Sequence, residues 1–408
     1  MSDTDVLDAE AAEAFAVKCR KFLDEHAKGL HTDGDDSRSA ESMAICRRFQ
    51  KALSDAGLAG LTYPTEFGGA GLTKEHDQIF RSVYSNYPNT NSQLIISHGM
   101  CLPVLNEFGS EEQKREFLPG NISAETVWCQ MFSEPGAGSD VASLQTKAEL
   151  DGEEWIINGQ KVWTTLAHVS DYGILVARTD PTVPKHSGIS MFIVDMTAPG
   201  VEIRPIHQID GGKHFNEVFF TDVRIPAAWQ VGPLNEGWRL ATAMLMYERV
   251  AIGTGPSGGV STTYARRFIA EAKERGTNSD PVLRQELMKL YCAEMAKSLV
   301  SLRTRSEMQA GRAPGPGGSL GKLHGAVIAE MGRALVGSVI GTELTAWEPG
   351  SSAERFTSEM LNSFQMNIAG GTDQIQRNII GDRVLGLPRE PSADKGIPFN
   401  ELKVGTQT

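Results

Sequence analysis

Cysteine is scarce in this sequence, which has five cysteines among 408 residues and no CxxC pair. The five are Cys19, Cys46, Cys101, Cys129 and Cys292. An odd number of widely spaced cysteines argues against a disulfide framework, and the missing CxxC pairs argue against the common zinc sites. We therefore expect buried thiols and no metal site.

The sequence also lacks basic runs and long apolar runs. The net charge is −12 and the sequence pI is about 5.3, which argues against a nucleic-acid partner. No apolar run comes near the roughly 18 residues of a membrane span. The first residues, MSDTD, are too polar and acidic for a signal or transit peptide. These observations predict an acidic cytoplasmic enzyme that does not associate with a membrane.

What the sequence does have is a hydrophobic period that changes along the chain. Apolar residues recur at helical spacing up to about residue 125, then in alternation between about residues 127 and 231, and at helical spacing again from Gly237. We predict an α+β fold of three domains. These are an N-terminal helical domain at residues 1–125, a middle antiparallel β-barrel domain at residues 126–233 and a C-terminal helical bundle at residues 234–408.

Local signals predict several element boundaries. Ser110 followed by Gln113 indicates a capping box at a helix start, and Pro119 indicates where that helix ends. Gly159 follows an alternating run that begins at Glu154 and predicts a hairpin turn. The strand candidates of the middle domain are residues 173–178, 189–195, 201–205 and 216–225.

The stretch from Trp128 to Thr165 carries the strongest functional signal. A strand-like run leads into the polar turn SEPGAGSD at residues 133–140, where a proline and two glycines stop the strand and expose backbone N–H groups. The predicted hairpin brings Trp163 and Thr165 back to this turn, where a flat ring has room to bind. From these residues alone, an ordinary glycine turn with Trp163 as a core aromatic is the alternative.

This segment resembles the signature of the acyl-CoA dehydrogenase family, flavoproteins that oxidise an acyl thioester between its α and β carbons, typically in fatty-acid β-oxidation. The match includes EPGAGSD, NGQK and the W-x-T tripeptide at the family's spacing. Near the C-terminus, AGGTDQIQR is similar to the family's closing motif. The resemblance implies the three-domain fold, FAD as the cofactor and an acyl-CoA substrate.

The resemblance also implies which residues hold the cofactor and the substrate. One set, here named the flavin shelf, comprises Gln130, Phe132, Ser133, Gly138, Ser139, Trp163 and Thr165. Two further FAD contacts are implied in the third domain, at Arg275 and Thr372. The implied substrate contacts are Ser139, Tyr247, Arg249 and Gly371.

The catalytic base departs from the commonest family pattern. Many members carry a glutamate two residues before the threonine of the closing motif, where this chain has Gly370. A minority, including isovaleryl- and long-chain-type dehydrogenases, carry the base on a helix of the third domain, directly before an arginine. Glu248 matches that variant and is the predicted base, with Arg249 contacting the CoA end of the substrate or orienting Glu248. An exposed charged pair is the alternative, but residues 240–252 are mostly apolar.

A second glycine pattern runs from Gly253 to Gly258 and matches G-x-G-x-x-G, with Glu274 about twenty residues further on, as in the dinucleotide fingerprint. That fingerprint requires a preceding strand, whereas the residues before Gly253 have a helical period. We interpret these glycines as space for the acyl chain and not as a nicotinamide site.

The resemblance implies an electron-transfer flavoprotein as electron acceptor and a homotetramer built as a dimer of dimers. Two family segments that reach a neighbouring subunit's FAD are altered: R-x-x-F is represented only by residues 275–278, and Q-x-x-G-G-x-G is not recognisable between Gly341 and Asn367. These gaps are similar to those of actinobacterial dehydrogenases of sterol side chains, some of which are α2β2 assemblies. A dimer, a heterotetramer, an acyl-CoA oxidase and a non-catalytic subunit therefore remain alternatives.

Overall fold

The structure is a computed structural model and describes residues 7–28, 30, 40–253, 262–309, 317–391 and 394–402. Its N-terminal part is helical, because apolar residues at three- and four-residue spacing, such as Cys19, Phe22 and Leu23, face one core. The helices are α1 (Ala9–His26), α2 (Ala40–Asp55), α3 (Lys74–Tyr84), α4 (Leu102–Phe108) and α5 (Glu111–Ile122). A π-helical turn at Ser97–Cys101 precedes α4.

The middle part is one mainly antiparallel sheet. Its strands are β1 (Trp128–Met131), β2 (Lys147–Asp151), β3 (Glu154–Thr165), β4 (Tyr172–Arg178), β5 (Ile189–Asp195), β6 (Val201–Pro205), β7 (Phe215–Pro226) and β8 (Gln230–Val231). The strand order is β6-β7-β3-β2-β4-β5-β8, with β1 paired to β4. The pairs β1–β4 and β2–β4 are parallel and the others are antiparallel.

The C-terminal part is helical again. Its helices are α6 (Gly237–Gly253), α7 (Thr263–Glu274), α8 (Pro281–Gln309), α9 (Gly317–Ile340), α10 (Ser352–Asn362) and α11 (Asp373–Arg383). The helix–sheet–helix order confirms the fold class predicted from sequence. The exact domain bounds stay a prediction.

Two compact units divide the chain differently from the three predicted domains. The first unit comprises residues 1–208, 212–248 and 391–408, and the second comprises residues 209–211 and 249–390. In the first unit, the core joins the N-terminal helices to the sheet and to the first turns of α6, where Leu240, Ala241 and Met244 are buried. In the second unit, α7, α8, α9 and α10 pack around Phe268 and Phe356.

Helix α9 has a longer apolar stretch than the sequence analysis recognised. By length and composition alone, Gly318–Leu344 would suit a membrane span. In the structure, α9 packs against α7, α8, α10 and α11 and places Leu335, Val336 and Val339 in the core of the second unit. Core packing therefore accounts for much of its apolar composition.

Four local predictions need correction. Helix α5 continues through Pro119 to Ile122. A proline removes only its own N–H donor and crowds the carbonyl four residues earlier, while its fixed φ is helical, so the residues after it can continue the helix. Strand β3 continues through Gly159, so the hairpin turns at Gly152 instead. In the described part of the chain, the pairings end at β6 and β8 and do not close the predicted barrel. Cys292 is exposed, whereas the other four cysteines are buried.

Candidate active site

The polar turn after β1 is compact and open on one side. Glu134 and Ala137 exchange two backbone hydrogen bonds of 3.0 Å, which close the turn around Pro135 and Gly136. A side chain at Gly136 or Gly138 would meet no atom within 4 Å. In the described part of the chain, the backbone N–H groups of Gly136, Gly138 and Ser139 donate no hydrogen bond. The turn can therefore offer these donors to a ligand.

A buried ion pair between Lys161 and Glu134 fixes the turn. Lys161 Nζ lies 2.8 Å from Glu134 Oε1 and also donates to the carbonyl of Phe132 at 3.0 Å. Glu134 accepts two further hydrogen bonds, from the backbone N–H groups of Gln145 and Thr146. Burial alone would raise the pKa of Glu134, but Lys161 and the hydrogen bonds lower it, so the carboxylate stays charged. Glu134 is thus structural and is not a free base.

Strand β3 brings Trp163 to the turn. The backbone N–H of Val162 donates to the carbonyl of Ser133 at 2.9 Å. Between Lys161 and Thr164 the register with β7 shifts, and Trp163 takes a left-handed φ of 62°. A bulge of this kind redirects a side chain. The Trp163 ring is 57% exposed, so it is not the core aromatic of the alternative interpretation.

The predicted flavin-shelf residues lie together in the first unit. Gln130 and Ser133 are half-buried, Phe132 is buried, Ser139 is exposed and Thr165 is half-buried. These residues fit a planar ring with carbonyl edges, such as the isoalloxazine of FAD. Trp163 exposes its face, one side of the turn carries no side chains, and the turn has three unpaired N–H donors. The contacts of each shelf residue with FAD stay predictions.

The predicted base lies in the same unit as the flavin shelf. Glu248 is half-buried on α6, one turn after the buried Met244 and two turns after the buried Ala241. Residues spaced by four and seven positions share one face of a helix, so Glu248 continues the apolar face of α6. Glu248 is therefore not fully exposed, and its role as the base stays a prediction.

Tyr247, a predicted substrate contact, has a partner that the sequence analysis missed. Its hydroxyl donates to Glu107 Oε2 of α4 at 2.5 Å. Burial and the Glu107 carboxylate together raise the pKa of Tyr247 to about 12, so the phenol stays protonated. The bond ties α6 to α4 directly beside Glu248.

The closing motif lies in the second unit. Gly370 and Gly371 have left-handed φ values of 69° and 86°, and Thr372 caps α11 by accepting a hydrogen bond from the Ile375 N–H. Asp373 is buried and bonds Lys322 and Asn367, which supports the view of this carboxylate as structural.

Arg275, also in the second unit, is engaged within its own chain. Its guanidinium pairs with Glu271 and Glu343 and donates to the carbonyl of Ile340 and to Ser352 Oγ. These partners favour a structural role. The predicted FAD contact at Arg275 stays a prediction.

Two predictions fall on parts that the structure does not describe. Residues 254–258 of the second glycine pattern lie outside the described residues, as does the side chain of Arg249. The element before Gly253 is helix α6 and not a strand, which removes the structural context that a dinucleotide fingerprint requires.

The role of Lys161 was not predicted from the sequence. The signal was present, because Glu134 and Lys161 both belong to the quoted motifs. Their pairing across 27 residues has no periodic signature along the chain.

Comparison with protein families covers nearly the whole chain. The profiles for the N-terminal, middle and C-terminal domains of acyl-CoA dehydrogenase match residues 9–125, 129–223 and 235–385. Acyl-CoA dehydrogenase IpdE1 of Mycobacterium tuberculosis is 36% identical over 404 residues, covering 93% of this chain and 98% of that protein. Mitochondrial isovaleryl-CoA dehydrogenase of Pongo abelii is 34% identical over 246 residues, covering 58% of this chain and 56% of that protein.

Solved structures show the same likeness. The Tcur3481–Tcur3483 steroid ACAD has a TM-score of 0.76 and 27% identity, covering 95% of this chain and 100% of that chain. The ChsE4–ChsE5 complex from Mycobacterium tuberculosis has a TM-score of 0.74 and 29% identity, covering 96% of this chain and 100% of that chain.

Proposed function

Given that the chain belongs to the acyl-CoA dehydrogenase family, we propose that it oxidises an acyl-CoA thioester to the trans-2-enoyl-CoA with Glu248 as the base. It is an oxidoreductase that acts on CH–CH groups, and its cofactor is FAD. When bound, FAD supplies the acceptor for the β-hydrogen, which leaves as a hydride. The observation that carries the proposal is the exposed Trp163 ring beside the open turn, in the unit that also holds Glu248.

Each residue has a separate role in this proposal. Trp163 packs on the flavin ring, while the free N–H groups of Gly138 and Ser139 bind its carbonyl edge. Glu248 removes the α-proton of the thioester, and the apolar face of α6 keeps water away from its carboxylate. A positioned base of this kind contributes about 10²–10⁴-fold to the rate of a proton transfer.

Anaerobic titration of the purified protein tests the reaction. We expect a yellow protein with bound FAD whose visible absorption bleaches when a suitable acyl-CoA is added. A folded, colourless protein that fails to take up added FAD would contradict the enzyme assignment. A yellow protein that no acyl-CoA bleaches would contradict the substrate class alone.

We propose electron-transfer flavoprotein as the electron acceptor in the cytoplasm. The support is family membership, since the dehydrogenases of this family use such a partner. An acyl-CoA oxidase on the same scaffold would instead release stoichiometric peroxide in air. Turnover with electron-transfer flavoprotein and without peroxide is the expected result.

We propose a bulky, ring-bearing acyl group as the substrate. One structural neighbour is a steroid ACAD. The placement of the predicted base directly before an arginine, Glu248-Arg249, is similar to that of actinobacterial sterol side-chain dehydrogenases. A panel of straight-chain, branched and steroid-side-chain CoA thioesters tests this. Faster flavin reduction by a straight-chain thioester than by the steroid thioester would contradict the proposal.

We propose a homotetramer built through the C-terminal helices. Helix α8 exposes Leu299, Val300 and Leu302, and such side chains favour contact with further chains. A heterotetramer with a homologous chain is the second candidate, favoured by the two-component ChsE4–ChsE5 complex. Native mass spectrometry decides between them: a tetramer of this chain alone supports the first, and solubility only with a co-expressed homologue supports the second. A monomer with full flavin content would contradict both.

A further inference from the structure

The chain returns to the first unit after α11 and lies along the loop between β4 and β5. We name residues 394–402 the strap and residues 179–188 the β4–β5 loop. Within the strap, the N–H of Phe399 donates to the carbonyl of Val183 and the N–H of Asn400 donates to that of Pro181, both at 2.9 Å. The Phe399 side chain is buried. The strap is therefore bound to the loop by backbone as well as side-chain contacts.

The buried Arg178 joins the strap to the segment that follows the polar turn. Its guanidinium lies 3.8 Å from the centre of the Phe399 ring, a cation–π contact. The same guanidinium donates to the carbonyls of Ala142 and Lys185, each at 2.6 Å. Ala142 follows the turn closely, so Arg178 fixes the backbone just after the turn. Phe399 in turn covers Arg178.

Lys185 makes the second link. Its Nζ lies 2.8 Å from Asp140 Oδ2 and 2.5 Å from Asp394 Oδ2, and its side chain is only 12% exposed. Burial alone would lower the pKa of Lys185, but hydrogen bonds to the two carboxylates raise it, so the amine stays charged. Asp140 directly follows Ser139 of the flavin shelf. Lys185 therefore pairs with one carboxylate of the turn, Asp140, and one of the strap, Asp394.

The β4–β5 loop also contacts the start of helix α6. The His186 and Trp238 rings meet edge to face with centres 4.9 Å apart. Thr179 Oγ1 donates to Asn235 Oδ1 at 2.6 Å, and Asn235 lies just before α6. One loop thus contacts the polar turn and the helix that carries Glu248, and the strap covers that loop.

We propose that the strap is a positioning element, in which Asp394 and Phe399 hold the β4–β5 loop so that the flavin-shelf turn keeps its binding geometry. The inference rests on the proposed function for its role in FAD binding. Its structural part, the ordering of residues 138–144 by the strap, is independent of any cofactor. Asp394 and Phe399 act through Lys185 and Arg178 and do not themselves touch the cofactor or the substrate.

Hydrogen exchange of the full-length apoprotein tests the structural part. The variants are Asp394→Asn, which removes the negative charge that pairs with Lys185, Phe399→Leu, which removes the cation–π contact, and Asp394→Glu, which keeps the negative charge. Asp382→Asn is the matched control, because it breaks an exposed ion pair with Arg389, 2.9 Å long, near the C-terminus but outside the strap. We expect faster exchange at residues 138–144 in the first two variants only, with at most a small fall in the urea midpoint.

The second measurement is FAD binding. Asp394→Asn should weaken FAD retention about three- to tenfold, as loss of one partly buried ionic hydrogen bond predicts, and should shift the visible absorption of the bound flavin. Asp394→Glu should restore both. Unchanged exchange at residues 138–144 in Asp394→Asn and Phe399→Leu overturns the proposal, and so does faster exchange spread evenly over the chain. If the wild-type protein takes up no FAD, the proposed function fails, whereas the exchange measurement still decides whether the strap orders the turn.

Discussion

Replacing Trp163 by glycine and by alanine separates its role in FAD binding from its role in folding. The residue has a left-handed φ of 62° and is 57% exposed. Both substitutions remove the ring. Only glycine also relieves the backbone strain, which amounts to about 1–2 kcal/mol for a residue with a Cβ atom.

The exposed area sets the expected magnitudes. A tryptophan side chain has roughly 150–250 Å² to bury. At about 25 cal/mol per Å², the part already covered stabilises the fold by no more than about 3 kcal/mol, and this figure is an upper bound. We expect Trp163→Ala to lower the free energy of unfolding of the apoprotein by up to that amount. Relief of strain should limit the loss in Trp163→Gly to about 1 kcal/mol.

A flavin that covers the exposed part of the ring gains about 2–3.5 kcal/mol at the same coefficient, which corresponds to about 30- to 400-fold in Kd. Both variants should lose FAD affinity by that factor. Urea unfolding of the apoprotein and fluorescence titration with FAD measure the two quantities. FAD affinity within twofold of wild type in Trp163→Gly would refute the stacking role, and equal unfolding losses in both variants would refute the strain argument.

Four further substitutions test the base, the closing motif, the buried ion pair and the buried histidine. Glu248→Gln should retain FAD and acyl-CoA but slow anaerobic flavin reduction about 10²–10⁴-fold, while the exposed Glu116→Gln changes nothing; an unchanged rate in Glu248→Gln would show that the base lies elsewhere. Gly370→Glu should lower the free energy of unfolding by about 1–2 kcal/mol, because Gly370 has a left-handed φ. An unchanged urea midpoint would contradict this strain argument. In urea unfolding, Glu134→Gln should destabilise the apoprotein by about 3–5 kcal/mol, because Lys161 is left buried without its partner. The double variant with Lys161→Met should recover much of this loss. A loss below about 1 kcal/mol in the single variant would contradict the ion-pair argument. Burial lowers the pKa of His98 to about 4, so the unfolded chain binds a proton at higher pH than the folded chain does. The free energy of unfolding should therefore fall by up to about 1.4 kcal/mol per pH unit as pH drops from about 6.5 towards 4. Urea titrations of His98→Gln should show a shallower fall across that range, and equal slopes would contradict this role of His98.

Features encoded by adjacent residues were predicted correctly. The capping box formed by Ser110 and Gln113 is present, with hydrogen bonds in both directions, because its donors and acceptors are only three residues apart. Strand β5 occupies the predicted residues 189–195 because its apolar run is bounded by clear turn residues. The shelf motif likewise located the turn and Trp163.

Features that depend on distant partners were not predictable from the sequence. A glycine in a strand can mark a turn or a bulge, and only the neighbouring chain decides. At Gly159 a Cβ atom would lie 2.5 Å from Thr146 Oγ1, so the glycine permits close packing within a continuous strand. The Tyr247–Glu107 bond and the strap contacts join residues that are far apart in the sequence. No local sequence pattern predicts either of them.

The position of the strap in the sequence bears on how the protein is made. The first unit receives Asp394 and Phe399 only after the whole second unit has been synthesised. At about 5–20 residues per second, the roughly 150 residues between Glu248 and the strap take on the order of 10–30 s to translate. During that interval the nascent chain already contains Lys185 and Arg178 but not the residues that cover them. Completion of the first unit therefore waits until residues 249–390 of the second unit have been synthesised.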